Sequence, residues 1–409
     1  MTQAPKGFRP EPYPYHHVLT LRVEDLTNLG CGILRDGDWV VQAPHVLPGE
    51  LVRVRVYRNQ KNYSEADLLE VLESAPERVE PLCGLYATCG GCQYQHVAYE
   101  TQLEWKRRHV SECLRRIGGQ EVEVEPTTAS PKPYGYRSKL TPHFHGGKDG
   151  KIGDVGFLRR GSRRALVDVP ACPIATEEIN AALPEARRNL RENRKGKKGG
   201  TLLLRHVLEG VTTDPQEVVS EKVGDLLFQF KAGEFFQNNP FLVPEMVRHV
   251  VEEAKGEGID DLVDAYCGGG LFALSAAASF SRVTGVEISR DGFEWARANA
   301  LLNGIDNCAF ILGTASDVFA EVETPGERSA LVVDPPRKGC DEEFLRQALA
   351  FGPARIVYVS CDPSTQARDA KALVGGGYRI SRVRPFDLFP QTRHVENVIT
   401  FEKAPPCAP

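Results

Sequence analysis

The run DLVDAYCGGGLFALSAA, residues 261–277, constrains the fold more than any other segment, because an apolar strand enters three glycines and leaves them as a helix. Glycines at 268 and 270 let the backbone approach a ligand at the strand's carboxyl end, where doubly wound sheets place their cofactors. From about Asn239 onward, strand-like and helix-like runs alternate, which implies a parallel sheet covered on both faces. Six strands are predicted, DLVDAY, RVTGVEI, ALVVDPP, RIVYVSC, YRISRVRPFDLF and VENVITF, with helices such as DGFEWARANALLNG between the early ones. Residues 236–409 are therefore expected to be an α/β, doubly wound, Rossmann-like domain.

The amino-terminal part reads differently. Between His17 and about Ser74, short period-two strands alternate with glycines and a Pro48-Gly49 turn, the pattern of a small closed OB-type barrel, a fold often used on RNA or single strands. That barrel is expected over residues 15–75. Residues 76–235 are expected to form a mixed central domain that opens on a cysteine cluster. A helix follows, with Leu103, Val110, Leu114 and Ile117 on one face and Gly118 as its stop. The run ARRNLRENRKGKKGG, 186–200, reads as a solvated loop, or as a charge run that steers a phosphate backbone.

A length of 409 residues suits two to four domains, and 41% hydrophobic with 26% charged residues is the balance of an ordinary folded, soluble chain. No apolar stretch is long enough to span a membrane, and the amino terminus lacks the apolar core of a signal peptide, so a cytoplasmic location is expected. The eleven cysteines are an odd number and are expected to be reduced, which leaves metal or catalysis to explain any pattern among them. Net charge is −5, against a general nucleic-acid binder, but residues 101–200 hold 21 basic and 12 acidic residues. The middle of the chain is the expected anion-facing surface.

Four motifs in the carboxyl-terminal domain carry chemistry. The Gly-rich turn is followed about twenty residues later by Glu287, placed at a strand end to accept hydrogen bonds from a ribose; this pair suits either a dinucleotide or S-adenosylmethionine (SAM). LVVDPPRKGCD, 331–341, sets a stiff rim over the cofactor, and Arg337 stands where adenine-amino methyltransferases place a stacking aromatic, which speaks against adenine as target. In RIVYVSCDPSTQARD, 355–369, Cys361 leaves a strand before a probable helix start; it is a structural thiol or a nucleophile with thiolate character. FPQTRHVENVITF, 389–401, brings His394 and Glu396 to the last strand, where a partly desolvated carboxylate serves as a base. A fifth motif lies upstream: Cys83, Cys89 and Cys92, with Cys172 eighty residues on, suit a tetrathiolate site for zinc or a 4Fe-4S cluster.

With these pieces in this order, the chain resembles the RNA uracil-5 methyltransferase family, specifically its iron-sulfur branch acting on 23S ribosomal RNA, over nearly its whole length. The resemblance implies that residues 17–74 are a TRAM barrel that binds RNA. It implies Cys83, Cys89, Cys92 and Cys172 as ligands of a 4Fe-4S cluster, with zinc as the alternative occupant. It implies a SAM-dependent methyltransferase domain in which Gln237, Tyr266, Glu287 and Asp334 serve SAM, Cys361 is the nucleophile and Glu396 the base. The family motif Ser-Cys-Asn-Pro stands here as Ser360-Cys361-Asp362-Pro363, and Thr314 replaces the family's Asp or Asn. The T-loop uridine of transfer RNA is the alternative target, and a non-catalytic RNA-binding or assembly factor is the reading from another class. The cluster, with no ligand near Cys361 in sequence, is expected to be structural or RNA-positioning, and the protein a monomer.

Overall fold

The computed structural model describes residues 4–146, 151–193, 198–314, 319, 322 and 324–404. The first five strands, β1 (Val18–Leu26), β2 (Cys31–Asp36), β3 (Trp39–Pro44), β4 (Leu51–Asn59) and β5 (Tyr63–Glu73), close a barrel in the order β1-β2-β3-β5-β4. Strict alternation drives it: Val52, Val54 and Val56 of β4 are fully buried among Val23, Leu34 and Val41, while the residues between them face outward. On the outer face Arg22, Arg35, Arg53, Arg55 and Arg58 stand against Glu73, Glu24, Glu70, Asp67 and Glu65. Exposed pairs of this kind contribute about 0–1 kcal/mol each, but they leave the barrel's arginines neutralised.

Helix α1 (Tyr99–Cys113) begins the central domain and ends in a wide turn over Leu114–Gly118, with Gly119 in the left-handed region at φ 65°. Its inner face corrects the sequence expectation. Val110 and Leu114 are buried, but Ile117 is 43% exposed, and the other inward positions are Gln102, Lys106, His109 and Cys113. Apolar periodicity misses this face because its polar groups are buried with partners: Lys106 Nζ lies 2.5 Å from Asp387 and donates to the Phe389 carbonyl at 3.1 Å.

Two small antiparallel sheets follow. One runs β10 (Gly200–Thr201), β7 (His143–Gly146), β8 (Ile152–Leu158), β9 (Leu166–Asp168), the other β12 (Gly210–Thr212), β11 (Leu204–Val207), β6 (Lys139–Leu140). Helix α2 (Glu177–Asn193) packs Ile179, Leu183 and Ala186 on Leu140 and Leu204, so residues 186–193 of the expected loop are helical, and 194–197 lie outside the described residues. The hairpin β13 (Val218–Val223) with β14 (Leu226–Lys231) then seats against the helix Arg290–Leu302 and its cap: the Leu227 and Gln229 N–H groups donate to Asn303 Oδ1 and Asn299 Oδ1.

The carboxyl-terminal domain runs α3 (Val243–Ala254), β15 (Asp261–Asp264), α4 (Leu271–Ala276), β16 (Arg282–Glu287), α5 (Arg290–Leu302), β17 (Cys308–Leu312), β18 (Ser329–Val333), α6 (Glu342–Phe351), β19 (Arg355–Ser360), α7 (Pro363–Gly375), β20 (Tyr378–Phe386) and β21 (Glu396–Lys403). Its seven-stranded sheet has the order β17-β16-β15-β18-β19-β21-β20. The expected parallel core is present, with two differences. Strand β17, an edge strand only partly buried, is a seventh, and β21 inserts antiparallel to both β19 and β20. Among the described residues no helix is long and apolar enough to cross a membrane.

Breaking a buried ion pair from one side leaves the other charge uncompensated, at a cost of about 3–5 kcal/mol, whereas an apolar replacement of both partners is often neutral. Lys106→Met is therefore expected to lower the thermal unfolding midpoint strongly, and Lys106→Met/Asp387→Leu to recover most of the loss. Equal midpoints for single and double variants, by calorimetry, would contradict a charged pair.

Candidate active site

A cavity of about 690 Å³ opens at the carboxyl ends of β18 and β19, walled on its far side by the central domain. Gln237, Asp334, Arg337, Cys361, His394 and Glu396 all line it. Cys361 is placed by the turn from β19 into α7: Asp362 caps the helix, its Oδ1 accepting the N–H groups of Ser364 at 2.9 Å and Thr365 at 3.3 Å, with Pro363 in the first turn. Either Asp or Asn performs that capping, so the Asp362 departure leaves the turn intact.

The same cap corrects the expectation of a thiol ionised by the helix terminus. Asp362 occupies the free N–H groups there and adds its own carboxylate. Burial, and then the Glu396 carboxyl, push the Cys361 thiol up to about 11, with the Arg337 guanidinium opposing them. Glu396, the first residue of β21 and 7% exposed, is held well above the usual carboxylate range by burial and then by Asp334, again opposed by Arg337. Burial alone lifts Asp334 to about 7. Two carboxyl groups and a thiol thus share one guanidinium in a desolvated space, and they cannot all be charged together. His394 is kept neutral, at about 4, by burial and the nearby Arg393 and Arg337.

The Gly-rich turn lies beyond Asp334. Gly268 and Gly270 adopt φ of 52° and 91°, the left-handed region that favours glycine. Glu287, at the end of β16, accepts the Gly268 N–H at 2.9 Å through Oε2 and the Ser289 N–H at 2.7 Å through Oε1, so it fixes the turn. Tyr266 meets Phe344 edge-on at 5.5 Å. Tyr266 and Glu287 do not line the cavity that holds Cys361, whereas Gln237 and Asp334 do. Thr314 follows β17; residues 315–318 beyond it lie outside the described residues. Sequence reasoning missed Asp264, fully buried, which accepts the Ala273 N–H at 3.0 Å, and Phe235, which lines the cavity while 78% exposed. Exposure of an aromatic side chain leaves no mark in the sequence.

Cys83, Cys89, Cys92 and Cys172 line the same cavity as Cys361 despite their distance in sequence. Burial lifts Cys92 to about 12 and Cys172 to about 11, and each thiol bears on the others. The N–H groups of Ile174 and Ala175 are aimed at the Cys172 sulfur, that of Gly91 at Cys89, and the Gln95 side chain at Cys92. As a donor set, thiols with such neighbours suit a soft metal centre. Among the described residues, however, no three His, Cys, Asp or Glu side chains form a group that would hold a metal ion.

The family model described as tRNA (Uracil-5-)-methyltransferase matches residues 213–404. The tRNA (uracil(54)-C(5))-methyltransferase of Schizosaccharomyces pombe is 39% identical over 399 residues, which cover 91% of this chain and 76% of that one. The enzyme of the same name from Saccharomyces cerevisiae is 34% identical, covering 95% and 74%. The crystal structure of Pyrococcus abyssi tRNA (uracil-54, C5)-methyltransferase in complex with S-adenosyl-L-homocysteine matches 94% of this chain and 100% of that chain, with a TM-score of 0.72 and 26% identity. Likeness at this level spans the barrel, the central domain and the catalytic domain together, and the chain belongs to the family of SAM-dependent RNA uracil-5 methyltransferases.

Proposed function

We propose that this protein methylates carbon 5 of uridine 54 in the T-loop of transfer RNA, with Cys361 as nucleophile and Glu396 as base. The observation that carries the assignment of roles is the meeting of Cys361, Glu396, Asp334 and Arg337 in one cavity. The choice of transfer RNA rests on the names of the two yeast relatives and the archaeal structure. The expectation of 23S ribosomal RNA rests on the resemblance to the iron-sulfur branch alone.

Uracil carbon 5 is too weakly nucleophilic to be methylated directly. The Cys361 thiol loses its proton and adds through sulfur to carbon 6, which turns the ring into an enolate that is nucleophilic at carbon 5. Gln237, Tyr266, Glu287 and Asp334 would hold SAM, which would supply an electrophilic methyl group to carbon 5 and leave as the neutral thioether. Glu396 then takes the proton from carbon 5, the electron pair of that C–H bond re-forms the carbon 5–carbon 6 double bond, the carbon 6–sulfur bond breaks and Cys361 leaves as thiolate. Burial suits Glu396 to this role, because a carboxylate whose charge is poorly solvated is a stronger base. The target base must be unstacked or presented in a loop for Cys361 to reach it.

Cys83, Cys89, Cys92 and Cys172 are assigned to a 4Fe-4S cluster, with zinc as the alternative. A single zinc ion about 2.3 Å from each sulfur needs closely packed thiols. The assignment rests on the family resemblance and on four thiols lining one cavity. Anaerobically purified protein is expected to contain about four iron atoms and matching acid-labile sulfide per chain, with both lost in Cys92→Ser. Stoichiometric zinc without iron would overturn the assignment.

Incubation with SAM and an unmodified tRNA transcript is expected to place 5-methyluridine at position 54, and Cys361→Ala to place none. Glu396→Gln should stall as a covalent protein–RNA adduct, seen as a band that survives denaturing electrophoresis and disappears in Glu396→Gln/Cys361→Ala. Methylation of a 23S fragment in preference to the tRNA would return the target to ribosomal RNA.

Because the Cys361 thiol is held above its ordinary range, the reactive thiolate grows as pH rises, about tenfold per unit. At subsaturating RNA, kcat/KM is expected to climb between about pH 6 and pH 9. Arg337→Gln should lower it by about tenfold at neutral pH and displace the climb to higher pH. A profile that falls over the same range would argue against rate-limiting thiolate attack.

A further inference from the structure

Most arginines of this protein stand against carboxylates, the outer face of the barrel above all. The stretch VGFLRRGSRRALV, residues 155–167, breaks that rule, with four arginines and no acidic residue. It forms the hairpin between β8 and β9, closed by the Arg159 N–H donating to the Ala165 carbonyl at 2.8 Å. Arg159, Arg163 and Arg164 are exposed, Arg160 is half-buried, and none of the four side chains has a carboxylate partner among the described residues.

The hairpin is fixed in place. The Gly90 N–H donates to the Leu158 carbonyl at 3.0 Å and the Arg160 N–H to the Thr88 carbonyl at 2.9 Å, with Cys89 bridged to Arg159, so the cysteine loop pairs with it as a short extra strand. Cys89 itself lines the cavity of Cys361. In the other direction, the charge of Arg160 bears on Cys31, His45 and Tyr57 of the barrel, and that of Arg393 reaches Cys31 as well. The four hairpin arginines, without carboxylate partners among the described residues, therefore form a line of cations that runs past the barrel beside the cysteine loop that lines the cavity. Such a line matches a polyanionic strand whose one uncharged unit, a base, must enter the cavity.

We propose that the Arg159–Arg164 hairpin, rather than the outer strands of the barrel, grips the RNA backbone phosphates next to the target uridine. This rests on the uridine-methylation reading above. Each phosphate neutralised by a cation contributes about 0.7–0.9 to the slope of log affinity against log salt. The test measures binding of an unmodified tRNA transcript by the full-length protein across a salt series. It compares wild type, Arg159→Gln/Arg160→Gln/Arg163→Gln/Arg164→Gln, the single variant Arg163→Gln, and the barrel control Arg53→Gln/Arg55→Gln.

The quadruple variant is expected to flatten the slope by about 2.8–3.6, the single variant by about 0.7–0.9, and the barrel control not at all. In methyl transfer the quadruple variant should raise KM by about tenfold or more and keep kcat at saturating RNA. If the quadruple variant does not fold, the single variant decides. An unchanged slope in the hairpin variants, or a loss confined to the barrel control, overturns the proposal. Wild-type protein with a hairpin-dependent slope and no 5-methyluridine would overturn the proposed reaction and leave the grip standing; methylation with a hairpin-independent slope would overturn the grip alone.

Discussion

Helix α1 holds the segment that carries Glu396, the proposed base, and the geometry of the site depends on that grip. Gln102 and Lys106 lie one turn apart on its buried face. Lys106 reaches Asp387 and the Phe389 carbonyl, while Gln102 exchanges two hydrogen bonds with Gln391, its Nε2 donating to Oε1 at 3.0 Å and its Oε1 accepting the backbone N–H at 3.1 Å. Burial pushes both members of the Lys106–Asp387 pair toward neutrality, so the pair is retained only through mutual contact and the added carbonyl. Gln391 sits at φ 67°, where a non-glycine residue is strained by about 1–3 kcal/mol. That conformation persists because Gln93, Tyr94 and Gln102 over-determine it: the N–H groups of Gln93 and Tyr94 both donate to the Gln391 carbonyl. Five residues on, the chain delivers Glu396 to the cavity. The position of a group in the catalytic domain is thus set by a helix outside it.

The electrostatics of the cavity follow from the same burial. Desolvation holds the thiol and both carboxyl groups toward their neutral forms, and the cation that opposes it at Cys361 and Glu396, Arg337, sits on the stiff rim formed by Pro335 and Pro336. In that arrangement charge is present only in the group that acts at each step. Cys361 gains reactivity when Glu396 is neutral, since the Glu396 charge raises it. Once the sulfur is bound to carbon as an uncharged thioether, its charge no longer opposes ionisation of Glu396, and the carboxylate that forms is free to act as the base. The coupling makes nucleophile and base alternate rather than compete.

Much of this was legible in the sequence wherever local pattern and tertiary environment agree. Barrel strands β1, β4 and β5, the Gly-rich turn with its left-handed glycines, and the Cys361 turn lie where period and turn chemistry place them, because each depends on neighbours a few residues away, while β2 and β3 read as the single run GCGILRDGDWVVQAP. The failures are non-local. The buried polar face of α1 is set by Asp387 and Gln391, nearly three hundred residues downstream, and a rule that scores apolar residues cannot see it. Strand β17 is an edge with one neighbour and carries little of the buried signal that marks β18 and β19. Residues 186–193 read as loop from their charge, yet their apolar positions continue the stripe begun by Ile179 and Leu183. The thiol of Cys361 was misjudged because the capping role of Asp362, and the burial of Glu396 beside it, appear only in three dimensions.

The cysteine loop makes the same point about coupling. Its Tyr86 hydroxyl lies within hydrogen-bond distance of Nδ1 of the barrel's His45, at 3.0 Å, and of His96, at 2.6 Å. Its Gln93 side chain accepts the Arg393 N–H at 3.2 Å, three residues before Glu396. Its backbone pairs with the arginine hairpin. One short loop therefore touches the barrel, the hairpin and the base-bearing segment. Methyl transfer moves no net electrons to or from the protein, so a metal centre on these thiols, as proposed above, would serve to order this loop. Whatever draws those thiols together tightens three contacts at once, and the cost of a disordered loop would fall on RNA grip and on the placement of Glu396 alike.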